Sequence, residues 1–164
     1  MAGAVMITLV DVGGRLTSAA SKSQIIYAFL VPEGLEALEI RFNYSPKLLE
    51  DRERARELVA LAAPRYMEEP QLSKYLECWE RVLPLQNLLT LSLDDQYRFR
   101  GAAHRHTPVQ EHRLGANDAE PGFLQGPIVA GMWRITVSVH AIVTEVCSYE
   151  LQVNGVEKER SHHE

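Results

Sequence analysis

Residues 131–153 read GMWRITVSVHAIVTEVCSYELQV and contain two stretches in which apolar and polar residues alternate. A period of two residues places the apolar side chains on one face of a β-strand and the polar side chains on the other. We therefore predict two strands, close enough in sequence to form a hairpin. Their apolar positions are Trp133, Ile135, Val137 and Val139 in the first, and Cys147, Tyr149, Leu151 and Val153 in the second.

Four further segments carry the same β signal, at residues 5–10, 23–31, 38–44 and 89–94. Turn-forming residues separate them: Gly13-Gly14 is expected to break the first strand, and Pro32-Glu33-Gly34 ends the second. Residues 101–126 are polar and contain prolines and glycines, so we predict mainly loop there, with room for one short strand.

The middle of the chain has a helical period instead. Ser45 is a predicted N-cap with Pro46 at the first helical position, and Pro64 ends this helix. A second helix is expected to begin near Pro70 and to close at Pro84, because apolar residues recur between them at intervals of three and four.

Strands with clean alternation, separated by turns, are typical of antiparallel sheets that pack face to face. The prediction is a mainly β protein: an antiparallel β-sandwich, jelly-roll-like, with a helical hairpin inserted near residues 46–83. We expect one domain over residues 1–154, with the helices packed on one sheet edge or end. Residues 155–164 are charged and are expected to form a flexible tail.

Composition restricts the function classes. The 164 residues are 46% hydrophobic and 24% charged with a formal net charge of -5, which excludes a disordered chain and a disulfide scaffold. The negative charge disfavours nucleic-acid and anionic-membrane partners. We find no signal-peptide pattern and predict a cytoplasmic protein in which Cys78 and Cys147 are buried, reduced thiols.

Several segments, in this order along the chain, carry a resemblance to a known family. Together they resemble the β-sandwich domain that precedes the catalytic domain in CehA/McbA-type PHP metallohydrolases. More distantly, the layout is similar to bacterial pre-peptidase C-terminal domains. The segments are NLLTLSLDD at 87–95, RGAAHR at 100–105, EPGFLQGP at 120–127, GMWRITV at 131–137 and SYELQV at 148–153.

The resemblance covers most of the chain except the helical region near residues 47–83. In that family a separate downstream PHP domain performs catalysis, with clustered His, Asp and Glu side chains that hold divalent metals. The resemblance therefore implies a non-catalytic binding or accessory module, which recognises a protein or a carbohydrate. A related reading is a subunit that docks on a separately encoded metallohydrolase.

The alternative is a metal-dependent hydrolase or metal-binding protein with a divalent metal as cofactor. His104 and His106 form a His-x-His pair, which places two imidazoles on one face of a strand. His112 and either Glu111 or Asp118 would add a third nitrogen and a carboxylate. The same residues are also consistent with a polar surface loop that binds no metal. No nucleophile elbow, phosphate-binding loop or defined triad is present, so no catalytic residue is assigned.

The second helix carries the predicted partner-binding residues, which are Tyr75 and Trp79, with Tyr66 just before it. Their spacing fits ordinary packing of the insertion against the sandwich. An insertion is also a position where recognition surfaces are added to a stable scaffold, and exposed Tyr and Trp dominate the binding energy of many interfaces.

Overall fold

The computed structural model describes residues 5–159, and eight β-strands form most of this part of the chain. The strands are arranged as two antiparallel four-stranded sheets, sheet A with the order β1-β8-β3-β6 and sheet B with the order β2-β7-β4-β5. Their bounds are β1 Met6–Leu16, β2 Ser23–Val31, β3 Leu35–Ser45, β4 Leu88–Asp94, β5 Phe99–Ala103, β6 Val109–Gly115, β7 Gly131–Ala141 and β8 Cys147–Glu157.

The chain passes repeatedly between the two sheets. Apart from β4 and β5, which are neighbours in sheet B, successive strands lie in opposite sheets. This connectivity is a jelly roll and confirms the predicted fold class. It also makes the predicted β7–β8 hairpin wrong, because β7 pairs with β2 and β4 whereas β8 pairs with β1 and β3.

The core lies between the sheets and is formed by the alternating apolar residues that the sequence indicates. Trp133 of β7 and Tyr149 of β8 are both buried there. The glycine before Trp133, Gly131, has φ of 128°, a conformation that favours glycine at this turn into β7. The Gly-x-Trp and Tyr-x-Leu patterns thus have a structural cause in the packing of two facing sheets.

Strand β1 continues through Gly13-Gly14, so the predicted break at this pair is wrong. The reason lies on the neighbouring strand β8, where Glu150 pairs with Gly13 and Tyr149 with Gly14. A Cβ added at Gly14 would lie 2.7 Å from Cε1 of Tyr149. The Tyr149 ring therefore occupies the space that a side chain at Gly14 would need. Its hydroxyl also lies 2.5 Å from the hydroxyl of Tyr27 in the opposite sheet.

The inserted region consists of α1 (Arg52–Ala62) and α2 (Gln71–Glu77), each followed by a short 3-10 turn. The first helix begins later than predicted, because Ser45 still belongs to β3. Its N-cap is Asp51, whose carboxylate accepts a hydrogen bond from the backbone N–H of Arg54 at 3.0 Å.

The two ends of the insertion lie side by side. The backbone N–H of Asn87 donates to the carbonyl of Lys47, and the Lys47 ammonium donates to the carbonyl of Asn87 at 2.8 Å. The buried Asn87 amide donates to Pro46 and Thr144 and accepts from the N–H of Val143. Asn87 thereby connects both ends of the insertion to the turn between β7 and β8.

Residues 101–126 contain more strand than predicted, since they include most of β5 and all of β6. The alternation on β6 is regular, but two of its inward side chains, Gln110 and His112, are polar. A rule that seeks apolar inward positions therefore misses this strand. Residues 116–126 cover the free edges of both strands: the backbone N–H of Glu120 donates to the carbonyl of Arg113, and the backbone N–H of Ala102 donates to the carbonyl of Gly122.

Three smaller findings concern the ends of the chain, the cysteines and the helices. Strand β8 runs to Glu157, three residues into the segment predicted as tail, and residues 160–164 lie outside the described part. Cys147 is buried as expected, but Cys78 is exposed, and both are free thiols. Within residues 5–159, no helix has the length and apolar character needed to cross a membrane.

Candidate partner-binding groove

An apolar groove lies where the insertion meets the end of the sandwich. It has a volume of ≈ 530 Å³, a size typical of ligand-binding clefts. Helix α1 forms one wall through Leu58 and Val59, and the sandwich contributes Val143 from the turn between β7 and β8. The other lining residues are Ala62, Ala63, Tyr66, Met67, Tyr75, Val82 and Leu85.

The lining of this groove is almost free of hydrogen-bonding side chains. Among its residues only Tyr66 and Tyr75 carry a side-chain oxygen or nitrogen. Tyr66 is 73% exposed, and Tyr75 is half-buried. A groove of this chemistry stabilises an apolar surface placed in it and offers few partners to a polar ligand.

The structure brings two of the three predicted partner-binding residues together. Tyr66 and Tyr75 both line the groove, whereas Trp79 lies outside its lining. The Trp79 ring packs against the guanidinium of Arg52, 5.4 Å from the ring centroid, and Arg52 also pairs with Glu80 at 2.6 Å. Trp79 thus connects the end of the insertion to the start of α1.

The residues predicted as metal ligands do not converge. Glu111 and His112 are consecutive on β6, so their side chains lie on opposite faces of sheet A. Glu111 pairs with Arg41 on the exposed face at 3.4 Å, while His112 is directed into the interior. His104 and His106 are exposed in the segment between β5 and β6. Within residues 5–159, no three His, Cys, Asp or Glu side chains form a group that could hold a metal ion.

The buried imidazole of His112 has one satisfied and one unsatisfied nitrogen. Nε2 lies 2.8 Å from the amide oxygen of Gln110, whereas Nδ1 has no hydrogen-bond partner among residues 5–159. The nearest carboxylate oxygen, from Glu120, is 3.9 Å from Nδ1, and the ring packs on Phe123 at 5.0 Å between centroids. Burial, assisted by the charge of Arg105, holds the pKa of His112 below its usual value against the opposing effect of Glu120.

A second depression, of ≈ 550 Å³, lies on the exposed face of sheet A and has the opposite chemistry. Gly13, which has no side chain, lines this depression. Most of the surrounding side chains are polar or charged, namely Asp11, Arg41, Asn43, Glu150 and Gln152, and none is aromatic; Val12 and Leu151 are the apolar members of the lining. Sequence alternation indicates that most of these residues face solvent, but it does not reveal that β1 pairs with β8 and β8 with β3, which brings them together.

Comparison with known proteins adds no family to these observations: no protein-family model matches the chain, and no curated protein matches it significantly.

Proposed function

We propose that this chain is a non-catalytic binding module, which recognises a protein through the apolar groove of the helical insertion. The observation that carries the proposal is the lining of the groove, whose residues are apolar apart from the two tyrosine hydroxyls. A partner side chain that enters it gains about 25 cal/mol for each Å² of apolar surface removed from water. Tyr66 presents a large and mostly exposed ring at this position, as expected of a residue that anchors an interface.

The partner segment that fits this groove is an amphipathic helix. The groove offers almost no hydrogen-bond partners, so an incoming segment must satisfy its own backbone N–H and C=O groups. A helix does so internally and presents apolar side chains on one face. An extended peptide would leave backbone groups unpaired, and a carbohydrate would leave hydroxyls unpaired, at a cost of about 1–3 kcal/mol for each buried group.

The resemblance of the sandwich to the module that precedes PHP catalytic domains supports one class of partner. On this reading the helix belongs to a separately encoded metallohydrolase, and the module docks on that enzyme without contributing catalytic residues. The polar depression around Gly13 fits the carbohydrate alternative, because its side chains supply the donors and acceptors that sugar hydroxyls require.

Two adjacent residues of α1 provide a matched pair of variants for a test. Ala62 lines the groove and Leu61 does not, and both side chains are exposed in the last turn of the helix. Ala62→Glu therefore introduces a charge into the groove without removing a core contact. Leu61→Glu introduces the same charge one residue away, at a similar cost to the helix.

The probe is a displayed library of helix-forming peptides, followed by fluorescence anisotropy on the selected sequences. We expect binders with apolar residues at intervals of three and four, whose dissociation constants rise about tenfold or more in Ala62→Glu and stay near the wild-type value in Leu61→Glu. Selection of no peptide, or of peptides indifferent to Ala62→Glu, would contradict the proposal. Glycan binding that Arg41→Ala abolishes would favour the carbohydrate alternative instead.

A further inference from the structure

Strand β2 forms an edge of sheet B and, in the described part of the chain, is paired on one side only. Its nine residues pair with β7 in a continuous register from Ser23 opposite Val139 to Val31 opposite Gly131. Within residues 5–159, no backbone group of β2 makes a backbone hydrogen bond to any element other than β7. The second side of β2 therefore presents a row of free N–H and C=O groups, which can pair with another strand.

The other three edges of the sandwich are each protected. Residues 116–126 cover β5 and β6, through hydrogen bonds such as those from Ala102 to Gly122 and from Glu120 to Arg113. Strand β1 has a bulge between Thr8 and Val10, and it carries charged residues. Bulges, charges and covering loops are the devices by which natural sheets avoid edge-to-edge association.

Strand β2 has none of these devices. Its sequence SQIIYAFLV contains no charged residue, no proline and no glycine, and its pairing with β7 is free of bulges. On the outer face of sheet B, Ile26 is 56% exposed and Leu30 is 67% exposed. Met132, which lies opposite Leu30 on β7, is 51% exposed and lies one strand away from the free edge.

We propose that β2 pairs antiparallel with β2 of a second copy of this chain, which joins the two B sheets into one eight-stranded sheet. A two-fold axis at Ala28 places Ile26 directly opposite Leu30 of the second copy, and Leu30 opposite Ile26. Because side chains opposite each other on paired strands lie about 5 Å apart, these apolar groups cover one another at the junction. The same register keeps outward residues opposite outward residues.

The composition of β2 is the reason to assign a second copy as its occupant. A two-fold axis places the side chain at the axis directly opposite its own equivalent, so a charge at that position would repel its copy. β2 is uncharged over its whole length, and Ala28 at the axis is small enough to face its own copy. The self-paired register also covers both of its large exposed residues at once.

The first test is the mass of the purified chain by light scattering and sedimentation over a range of concentrations. The expected species has twice the 18.5 kDa of a single chain. Ala28→Lys places two ammonium groups opposite each other and is expected to raise the dimer dissociation constant about tenfold or more. Met132→Lys puts the same charge on the same face, one strand away from the junction, and is expected to leave the dimer intact.

Each other outcome of this test rejects the proposal. A monomer for the wild-type chain up to about 1 mM shows that the edge does not pair with itself. A dimer that Met132→Lys dissociates and Ala28→Lys does not is formed through the sheet face rather than the strand edge. A dimer insensitive to both substitutions is formed elsewhere on the molecule.

A disulfide test determines the register. Cys78 is exposed, so the experiment uses a Cys78→Ser background. Ala28→Cys places two thiols opposite each other across the axis, and mild oxidation is expected to give a covalent dimer. Ile26→Cys alone faces Leu30 and is expected to cross-link far less. Efficient cross-linking through Ile26→Cys and not Ala28→Cys would overturn the proposed register.

Discussion

The guanidinium Nη1 of Arg100 lies 3.1 Å from Oδ2 of Asp95, and the side chains are 0% and 4% exposed. Arg100 also donates to the carbonyls of Leu124, Gly126 and Pro127, and its guanidinium carbon lies 5.0 Å from the centroid of the Trp133 ring. One buried cation thus connects the β4–β5 turn, strand β5 and the segment before β7. Each of the three guanidinium nitrogens of Arg100 donates to at least one protein oxygen, as a buried charge requires.

Removal of the carboxylate should leave this cation without its counter-charge. Asp95→Asn is expected to lower the free energy of unfolding by about 3–5 kcal/mol, because breaking a buried ion pair leaves the other charge uncompensated. Urea denaturation followed by circular dichroism measures the loss. Glu57→Gln is the control, since Glu57 forms an exposed pair with Arg54 at 3.1 Å, and it should change stability by about 0.5 kcal/mol or less.

The same pair predicts an acid dependence. Burial raises the pKa of Asp95, but hydrogen bonds from the backbone N–H groups of Tyr97 and Arg98 and from Arg100 outweigh it, so the pKa lies below 3.8. Since the unfolded chain then takes up the proton first, this stabilisation is present above 3.8 and is lost as the pH falls below it. A wild-type chain and an Asp95→Asn variant that lose stability in parallel under acid would contradict this assignment.

The contact between Gly14 and Tyr149 predicts that a single added methyl group at residue 14 lowers the free energy of unfolding. Gly14→Ala is expected to destabilise the protein by about 1–3 kcal/mol, because the ring of Tyr149 must shift to admit the Cβ. The cost should shrink when Tyr149 is replaced by Ala in the same chain, and a double-mutant cycle measures this coupling. Equal costs in both backgrounds would show that the ring is not the cause.

His112 predicts a second pH dependence, at higher pH. Its folded pKa lies below the usual 6.5 because of burial, so the unfolded chain protonates first and stability falls as the pH drops below 6.5. His112→Gln should flatten the stability profile between about pH 8 and about pH 5. The exposed His140 serves as the control, and an equal effect of His140→Gln would reject the assignment to His112.

The two cysteines should differ sharply in reactivity. Cys78 is exposed, whereas Cys147 is buried and burial raises its pKa despite hydrogen bonds from Asn87 and Ser45. Because the thiolate is the reactive form, a thiol reagent should modify one cysteine promptly and the second only after denaturation. Cys78→Ser should abolish the prompt reaction. Two prompt equivalents in the native wild-type chain would show that Cys147 is accessible.

The sequence predicts the elements best where local pattern and tertiary role agree. Residues 23–31 read as a strand and form β2 with those bounds. The sequence is less informative where a distant partner determines the structure: β1 continues through Gly13-Gly14 because these residues pair with β8, far along the chain. The alternation rule also misses β6, because two of its inward positions are polar. The short connection between β7 and β8 suggests a hairpin, although the two strands lie in opposite sheets.

The sequence likewise predicts some features of the candidate site, and others depend on the tertiary structure. The helical spacing indicates that Tyr75 belongs to the insertion, and Tyr66 lies just before that pattern, yet neither observation distinguishes a shared groove from separate packing contacts. Trp79 carries the same signal but lies outside the groove lining, where its ring packs against Arg52. The depression on sheet A depends on strand order, which alternation along single strands does not determine.

The side-by-side hydrogen bonding of Lys47 and Asn87 makes the insertion an exchangeable part. Since the two ends of the insertion meet at one place, a short turn that joins β3 to β4 there would close the jelly roll without residues 48–86. The eight strands and the inserted region can therefore change independently during evolution. A single scaffold of this kind can carry inserts of different length and sequence at the same two adjacent residues.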